Sequence, residues 1–165
     1  MKSNGSVYVA VVVAALFGYF GYQWWFNPAR AVKQRLGEVA AALSVPEGES
    51  DTARVVRIAQ LRRFLADDLH VRAGSNQVQS RDAAVAVAAG WRPQPGSGDV
   101  HFADVQVFIE SETAAHAYLA VELARRDLES GQPTVDSRDA SVSLEKRDGT
   151  WVVTAAESKE MPGRP

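Results

Sequence analysis

The chain has 165 residues, of which 46% are hydrophobic and 23% charged, and its formal net charge is -2. This length fits one modest domain with a short accessory segment. The 18 Lys and Arg residues against 20 Asp and Glu exclude the positive excess that general nucleic-acid binding needs. The absence of cysteine excludes disulfides, thiolate zinc sites, cysteine nucleophiles and a lipidated cysteine.

A long apolar run lies near the N-terminus. It extends from Val7 to Phe26 without a charged residue, and Gln23 is its one strongly polar member. A helix of that length covers about 30 Å, the thickness of the hydrocarbon core of a bilayer. Aromatic residues crowd its second half and basic residues follow from Arg30, as at a membrane interface. The sequence therefore predicts a short tail at residues 1–6 and a single transmembrane helix from Val7 to Phe26.

The run also bears on cleavage and on orientation in the membrane. A cleavable signal peptide is the alternative, but its apolar core normally covers only about 7 to 15 residues. The basic residues after the span favour a domain inside the cell. A short N-terminal tail before a large domain, however, more often remains in the cytoplasm, which places the domain outside. For a bacterial protein we expect the second arrangement. The prediction is a single-pass protein of the cell membrane, in contact with lipids, whose domain lies on the outer side.

Small side chains recur on one face of the predicted span. Ala10, Ala14 and Gly18 follow one another every four residues, which allows another helix to approach closely. This spacing predicts a helix-packing face and a homodimer. The alternative is that alanine and glycine are simply common in single anchors.

Residues 27–160 are predicted to form the folded domain and residues 161–165 a frayed tail. A first helix is predicted from Pro28 to Val45, because apolar residues recur there at helical spacing: Val32, Leu36, Val39 and Leu43. A second helix follows a cap at Ser50 or Asp51 and continues to Leu69. Its predicted apolar stripe is Val55, Ile58, Leu61, Leu65 and Leu69, with Arg54, Arg57 and Arg63 facing away.

The pattern then changes to strands and turns. Val100, Phe102 and Phe108 are predicted on one face of a strand, with Val105, Val107 and Ile109 on the other. The other predicted elements are short strands at His70 to Ala73 and Val78 to Arg81, a helix from Asp82 to Trp91, and strands at Thr134 to Lys146 and Trp151 to Ala156.

The segment from Thr113 to Asp127 allows two interpretations. Its alanines and leucines favour a helix by propensity. A helix there would leave the preceding strand without a hairpin partner, so we predict a strand. A tight connection at Ser111 and Glu112 would join the two.

The order of these elements ends in LEKRDGTWVVTAAE. Together they resemble the nuclear transport factor 2-like superfamily, which includes the SnoaL-like polyketide cyclases. The closing hairpin of that superfamily often has a hydrophobic strand, basic residues, Asp-Gly, any residue, Trp and an apolar pair, which Leu144 to Val153 match. The resemblance implies an α+β cone in which a curved, mostly antiparallel sheet wraps over helices, with a pocket at its open end.

The resemblance implies several functions without choosing one, because this fold carries isomerases, cyclases, dehydratases and transport adaptors. We expect a membrane-anchored module that binds a small apolar ligand or a protein partner, with no evident catalysis. One alternative is an enzyme similar to a polyketide cyclase or isomerase, acting on an apolar substrate. Another is a structural subunit of a cell-envelope complex, with an envelope protein as partner and the open sheet face available for a homodimer.

Enzymes of this superfamily use an Asp or a His-Asp pair inside the cone, and four residues match that chemistry. They are Asp104, His116, Tyr118 and Glu122, of which the last three share one strand face by alternation. The alternative is that this face looks outward to solvent. His70 and His101 have no ligand at metal-binding spacing, and neither a metal site nor a cofactor is predicted.

Overall fold

The computed structural model describes residues 4–25, 27–93, 98–127 and 129–158. In chain order these form α1 (Asn4–Trp25), α2 (Pro28–Leu43), α3 (Asp51–Phe64), β1 (Leu65–Ala73), β2 (Asn76–Val78), α4 (Arg81–Gly90), β3 (Asp99–Ile109), β4 (Ala114–Arg126), β5 (Pro133–Arg147) and β6 (Thr150–Ser158). The predicted α+β class is confirmed.

Helix α1 covers the segment predicted to span a membrane, and it begins at Asn4 rather than at Val7. Every residue from Ala10 to Tyr19 is exposed. The predicted end at Phe26 lies outside the described residues. Within the described ranges, no helix combines the length and the apolar character needed to cross a membrane. The span, and the packing face at Ala10, Ala14 and Gly18, stay predictions.

Helix α2 begins at the predicted Pro28 and ends at Leu43, two residues before the predicted end at Val45. Asn27 caps its first turn by accepting a hydrogen bond from the Ala29 amide at 3.0 Å, and Pro28 occupies the first helical position. Val32, Leu36 and Val39 are buried, as their spacing predicts. This stripe packs against the sheet and forms one wall of the core.

Helix α3 is shorter than predicted. Ser50 caps it through the Ala53 amide at 3.2 Å, but it ends at Phe64, and Leu65 and Leu69 belong to β1. The predicted apolar stripe of this helix is wrong at both ends. Val55 at its beginning is 68% exposed, and Leu65 and Leu69 at its end lie on a strand.

Arg57 is buried, although the sequence predicts that it faces away from the core. Its guanidinium donates to both carboxylate oxygens of Glu49, at 2.6 and 3.1 Å, and to the Ala42 carbonyl at 2.9 Å. These bonds hold the end of α2, the following loop and α3 together. The guanidinium also holds the pKa of Glu49 below its ordinary value.

The six strands form one sheet in the order β2-β1-β6-β5-β4-β3. The β1 and β6 strands are parallel, and every other neighbouring pair is antiparallel. The prediction of a strand at Thr113 to Asp127 is confirmed, because β4 pairs with both β3 and β5 along its length. We call the sheet face that carries Ala117, Val142 and Leu144 the inner face, since these side chains are buried in the core, and the opposite one the outer face.

A β-bulge changes the faces of β3. The register shifts between Ala103 and Gln106, and Asp104 has a positive φ of 51°. The extra residue moves Val105 and Val107 onto the inner face with Phe102. Phe108 lies on the outer face instead, 52% exposed, so its predicted grouping with Val100 and Phe102 is wrong.

The β5-β6 hairpin is confirmed at the predicted Asp-Gly turn. Asp148 and Gly149 have φ values of 51° and 77°, the positive values that a tight two-residue hairpin turn requires. Trp151 is buried in the core directly after it. Arg147 donates to both oxygens of Asp68, at 2.7 and 3.1 Å, which lowers the pKa of Asp68 and ties the hairpin to β1.

The elements between β1 and β3 begin and end at residues slightly different from those predicted. The second short strand, predicted at Val78 to Arg81, is β2 at Asn76–Val78. Helix α4 then begins at Arg81, because Ser80 accepts a hydrogen bond from the Ala83 amide at 3.1 Å and caps it.

Candidate functional site: an apolar cavity

A cavity of about 680 Å³ lies between the helices and the inner face of the sheet, and we call it the apolar cavity. This volume falls in the usual range of small-molecule pockets, about 300 to 1,000 Å³. Leu36 and Val39 of α2, Leu61 of α3 and Leu69 of β1 line its deep part and are buried. The same stripes that build the core thus leave a space that their side chains do not fill.

The mouth of the cavity lies at α4. The lining side chain of Val87 is 64% exposed, in contrast to 1% for Leu36 and Leu69 at the deep end. None of the described residues of α4 is buried, so this helix covers the cavity only loosely. The cavity is therefore most exposed beside α4.

The wall next to the mouth depends on a glycine. Gly98 exchanges two backbone hydrogen bonds with Val45, at 2.8 and 3.0 Å. A Cβ at Gly98 would lie 2.7 Å from Cη2 of Trp91, which lines the cavity. Only glycine leaves room for the Trp91 ring at this position.

The chemistry of the lining is uniform. Its described members are Leu36, Val39, Leu43, Leu61, Leu65, Leu69, Val71, Val78, Ala84, Val87, Ala88, Gly90, Trp91, Val100, Phe102, Val121, Leu123, Val142, Val153 and Ala156. None of these has a titratable side chain, and the indole nitrogen of Trp91 is their one polar side-chain atom. A lining of this kind favours apolar groups, which gain by burial, and its described residues include no acid or base.

The four predicted catalytic candidates lie on the outer face, not in this cavity. His116 and Tyr118 alternate with the buried Ala115, Ala117 and Leu119 along β4. Glu122 continues the same face, between His101 of β3 and Ser137 of β5. Asp104 is exposed at the bulge of β3.

Three of these candidates do meet in a second depression. Asp104, His116 and Tyr118 line a groove of about 620 Å³ on the outer face, together with Asp139, Ser141 and Glu157 among others. His116 lies 3.1 Å from the Ser143 hydroxyl through Nδ1, and its ring meets the Tyr118 ring edge to face at 4.8 Å. Glu122 is not among the lining residues of this groove.

Within the described ranges, no group of three or more His, Cys, Asp or Glu side chains is placed to hold a metal ion.

The sequence identified many lining residues, but only as core. Leu36, Leu61 and Leu69 stand in the predicted apolar stripes. Periodicity shows that a side chain points inward, yet it does not show whether neighbouring side chains fill the space in front of it. The run of small residues in α4, with Ala84 and Ala88 in the lining, is a signal from which a loosely filled wall could have been predicted.

Among the comparisons with known proteins, only those with solved structures give matches. No protein-family model and no curated protein matches the chain. Solved structures do match it. An NTF2-like protein with a cystatin-like fold from Novosphingobium aromaticivorans has a TM-score of 0.67 at 11% identity, covering 88% of this chain and 90% of its own. The domain has the nuclear transport factor 2-like fold.

Two other neighbours show how widely this fold is used. A scytalone dehydratase-like protein from the same organism has a TM-score of 0.63 at 17% identity, covering 80% of this chain and 83% of its own. The association domain of CaMKII from C. elegans has a TM-score of 0.61 at 13% identity, covering 81% and 99%. At these identities the likeness shows the fold alone.

Proposed function

We propose that the domain binds a small apolar molecule in the apolar cavity and does not change it chemically. The observation that carries this proposal is the lining, in which no described residue has a titratable side chain. Burial of apolar surface contributes about 25 cal/mol per Å², so a cavity of this size gains affinity from contact alone. The enzyme alternative, which the dehydratase-like neighbour suggests, would need an acid or base beside the substrate.

A probe-binding experiment tests this proposal. The neutral fluorophore N-phenylnaphthylamine is titrated into the full chain and into the Ala88→Trp variant, whose indole fills the cavity from α4. We expect the affinity of the variant to fall by about tenfold or more, because the probe and the indole compete for one space. Equal affinity in the two proteins would rule out the cavity as the binding site.

The matched control is Ala120→Trp, which adds the same side chain to the groove of the outer face. Its probe affinity should equal that of the unaltered chain. The control also accounts for probe that adheres to the exposed α1, since both variants keep that helix.

We propose, second, that α1 attaches the domain to a membrane. This proposal rests on the uncharged run from Val7 to Phe26 and on the exposure of every side chain from Ala10 to Tyr19, including 76% for Phe17. Exposed apolar surface of this extent normally marks a contact with lipid or with another protein. A lipid bilayer is the partner that accepts apolar side chains all around a helix.

Fractionation of bacterial cells tests the attachment. We expect the full chain to stay with membranes through an alkaline carbonate wash, and a chain that lacks residues 1–26 to remain in the supernatant. A second variant, Val13→Arg, should also weaken retention, because a charge in the middle of the run raises the free energy of membrane insertion by about 2.5 to 3.5 kcal/mol. Release of the full chain by carbonate would contradict the proposal.

A further inference from the structure

Charged side chains stand at the edge of the apolar cavity where β4 and β5 extend together. In the antiparallel register, Val121 lies opposite Arg138 and Leu123 lies opposite Asp136. Directly opposed residues of an antiparallel pair project from the same face of the sheet. Since Val121 and Leu123 line the cavity, Arg138 and Asp136 project from the inner face immediately beside it.

A second arginine belongs to this edge. Arg125 follows Leu123 by two residues on β4 and lies opposite Thr134, so it projects from the inner face as well. We call Arg125, Asp136 and Arg138 the basic rim. Two arginines and one aspartate give it one net positive charge.

The arginines of the basic rim retain donors for a ligand. Nε of Arg138 is 3.9 Å from Oδ2 of Asp136, which is too long for a hydrogen bond, and the two side chains are 52% and 50% exposed. Within the described ranges, no carboxylate lies at ion-pair distance from Arg125. An exposed pair of this kind contributes little to stability, so the fold does not require the arginine at this position.

We infer that the apolar cavity takes an amphiphile with a single carboxylate head, whose chain fills the cavity while its carboxylate binds Arg138. The inference rests on the proposed binding function and names its ligand class. A planar guanidinium matches a carboxylate with two parallel hydrogen bonds. The single net positive charge of the basic rim suits a monoanion and leaves a dianionic phosphate incompletely neutralised.

N-phenylnaphthylamine is displaced from the full-length protein by hexadecanoic acid and by hexadecanol. The comparison distinguishes the contribution of the carboxylate head to affinity from that of the alkyl chain. We expect the acid to bind more tightly than the alcohol. In the Arg138→Gln variant the acid should bind about fivefold more weakly, the effect expected of a partly exposed ion pair, while the affinity for the alcohol should not change.

The matched control is Arg126→Gln, which removes the same charge from the next strand position after Arg125, opposite Pro133 and on the outer face. It should bind acid and alcohol as the unaltered chain does. Equal affinity for acid and alcohol in the unaltered chain would overturn the carboxylate assignment and leave the apolar cavity as a binding site. The same conclusion would follow if hexadecyl phosphate bound more tightly than the acid. Failure of the probe and of both ligands to bind would overturn the proposed function itself.

Discussion

Replacing Glu49 by glutamine is expected to lower the free energy of unfolding by about 3 kcal/mol at neutral pH. The Glu49 side chain is 4% exposed and accepts two hydrogen bonds from Arg57, whose own side chain is 10% exposed. The variant leaves the Arg57 guanidinium buried without its counter-charge. Urea unfolding, followed by the fluorescence of the tryptophans, measures the loss.

The same pair predicts how stability depends on pH. Because Arg57 lowers the pKa of Glu49 in the folded protein, its contribution is fully present above the ordinary glutamate pKa. It is lost as the pH falls through the lowered value, when the carboxylate takes up a proton. The unaltered chain and the Glu49→Gln variant should therefore differ most at neutral pH and approach one another in acid.

Glu38→Gln provides the control, because Glu38 also pairs with an arginine at 2.6 Å but its side chain is 38% exposed. A partly exposed pair within one helix contributes less than about 1 kcal/mol. If the two variants lost the same free energy, or if the loss in Glu49→Gln did not shrink in acid, burial of the Glu49 pair would not be the cause.

Elements with local signals were predictable from the sequence. The β5-β6 hairpin follows from its Asp-Gly turn between alternating strands, because that dipeptide readily adopts positive φ. The β4 strand was predictable only through its neighbours, since its own alanines and leucines favour a helix. Pairing with β3 and β5 decides its structure, as tertiary contacts often override propensity.

Features that depend on distant contacts were not predictable. Nothing near Asp104 in the sequence marks the bulge that moves Phe108 to the outer face. Arg57 looks like a solvated residue in its helix, and it is buried because Glu49 and the Ala42 carbonyl reach it from another loop and another helix. The candidate residues His116 and Tyr118 were placed correctly on one strand face, but alternation alone does not tell which face is inner.

A pair of core variants distinguishes a filled part of the core from the apolar cavity. Leu144 and Leu69 are both 1% exposed, but only Leu69 borders the cavity. We expect Leu144→Ala to lower the free energy of unfolding by about 4 kcal/mol, because it loses contacts on all sides and opens a new void. Leu69→Ala should cost roughly 2 to 3 kcal/mol, since the cavity side of Leu69 has no contacts to lose.

A bound ligand provides a further test of this comparison, because a ligand that binds more tightly stabilises the folded state more. Saturating N-phenylnaphthylamine should reduce the deficit of Leu69→Ala in free energy of unfolding relative to the unaltered chain, since the probe gains the space that the truncation opens. The deficit of Leu144→Ala should not change, because its void lies away from the ligand. If the probe left both deficits unaltered, Leu69 would not face the bound molecule, and the site would have to be sought outside the cavity that α2, α3 and the inner face enclose.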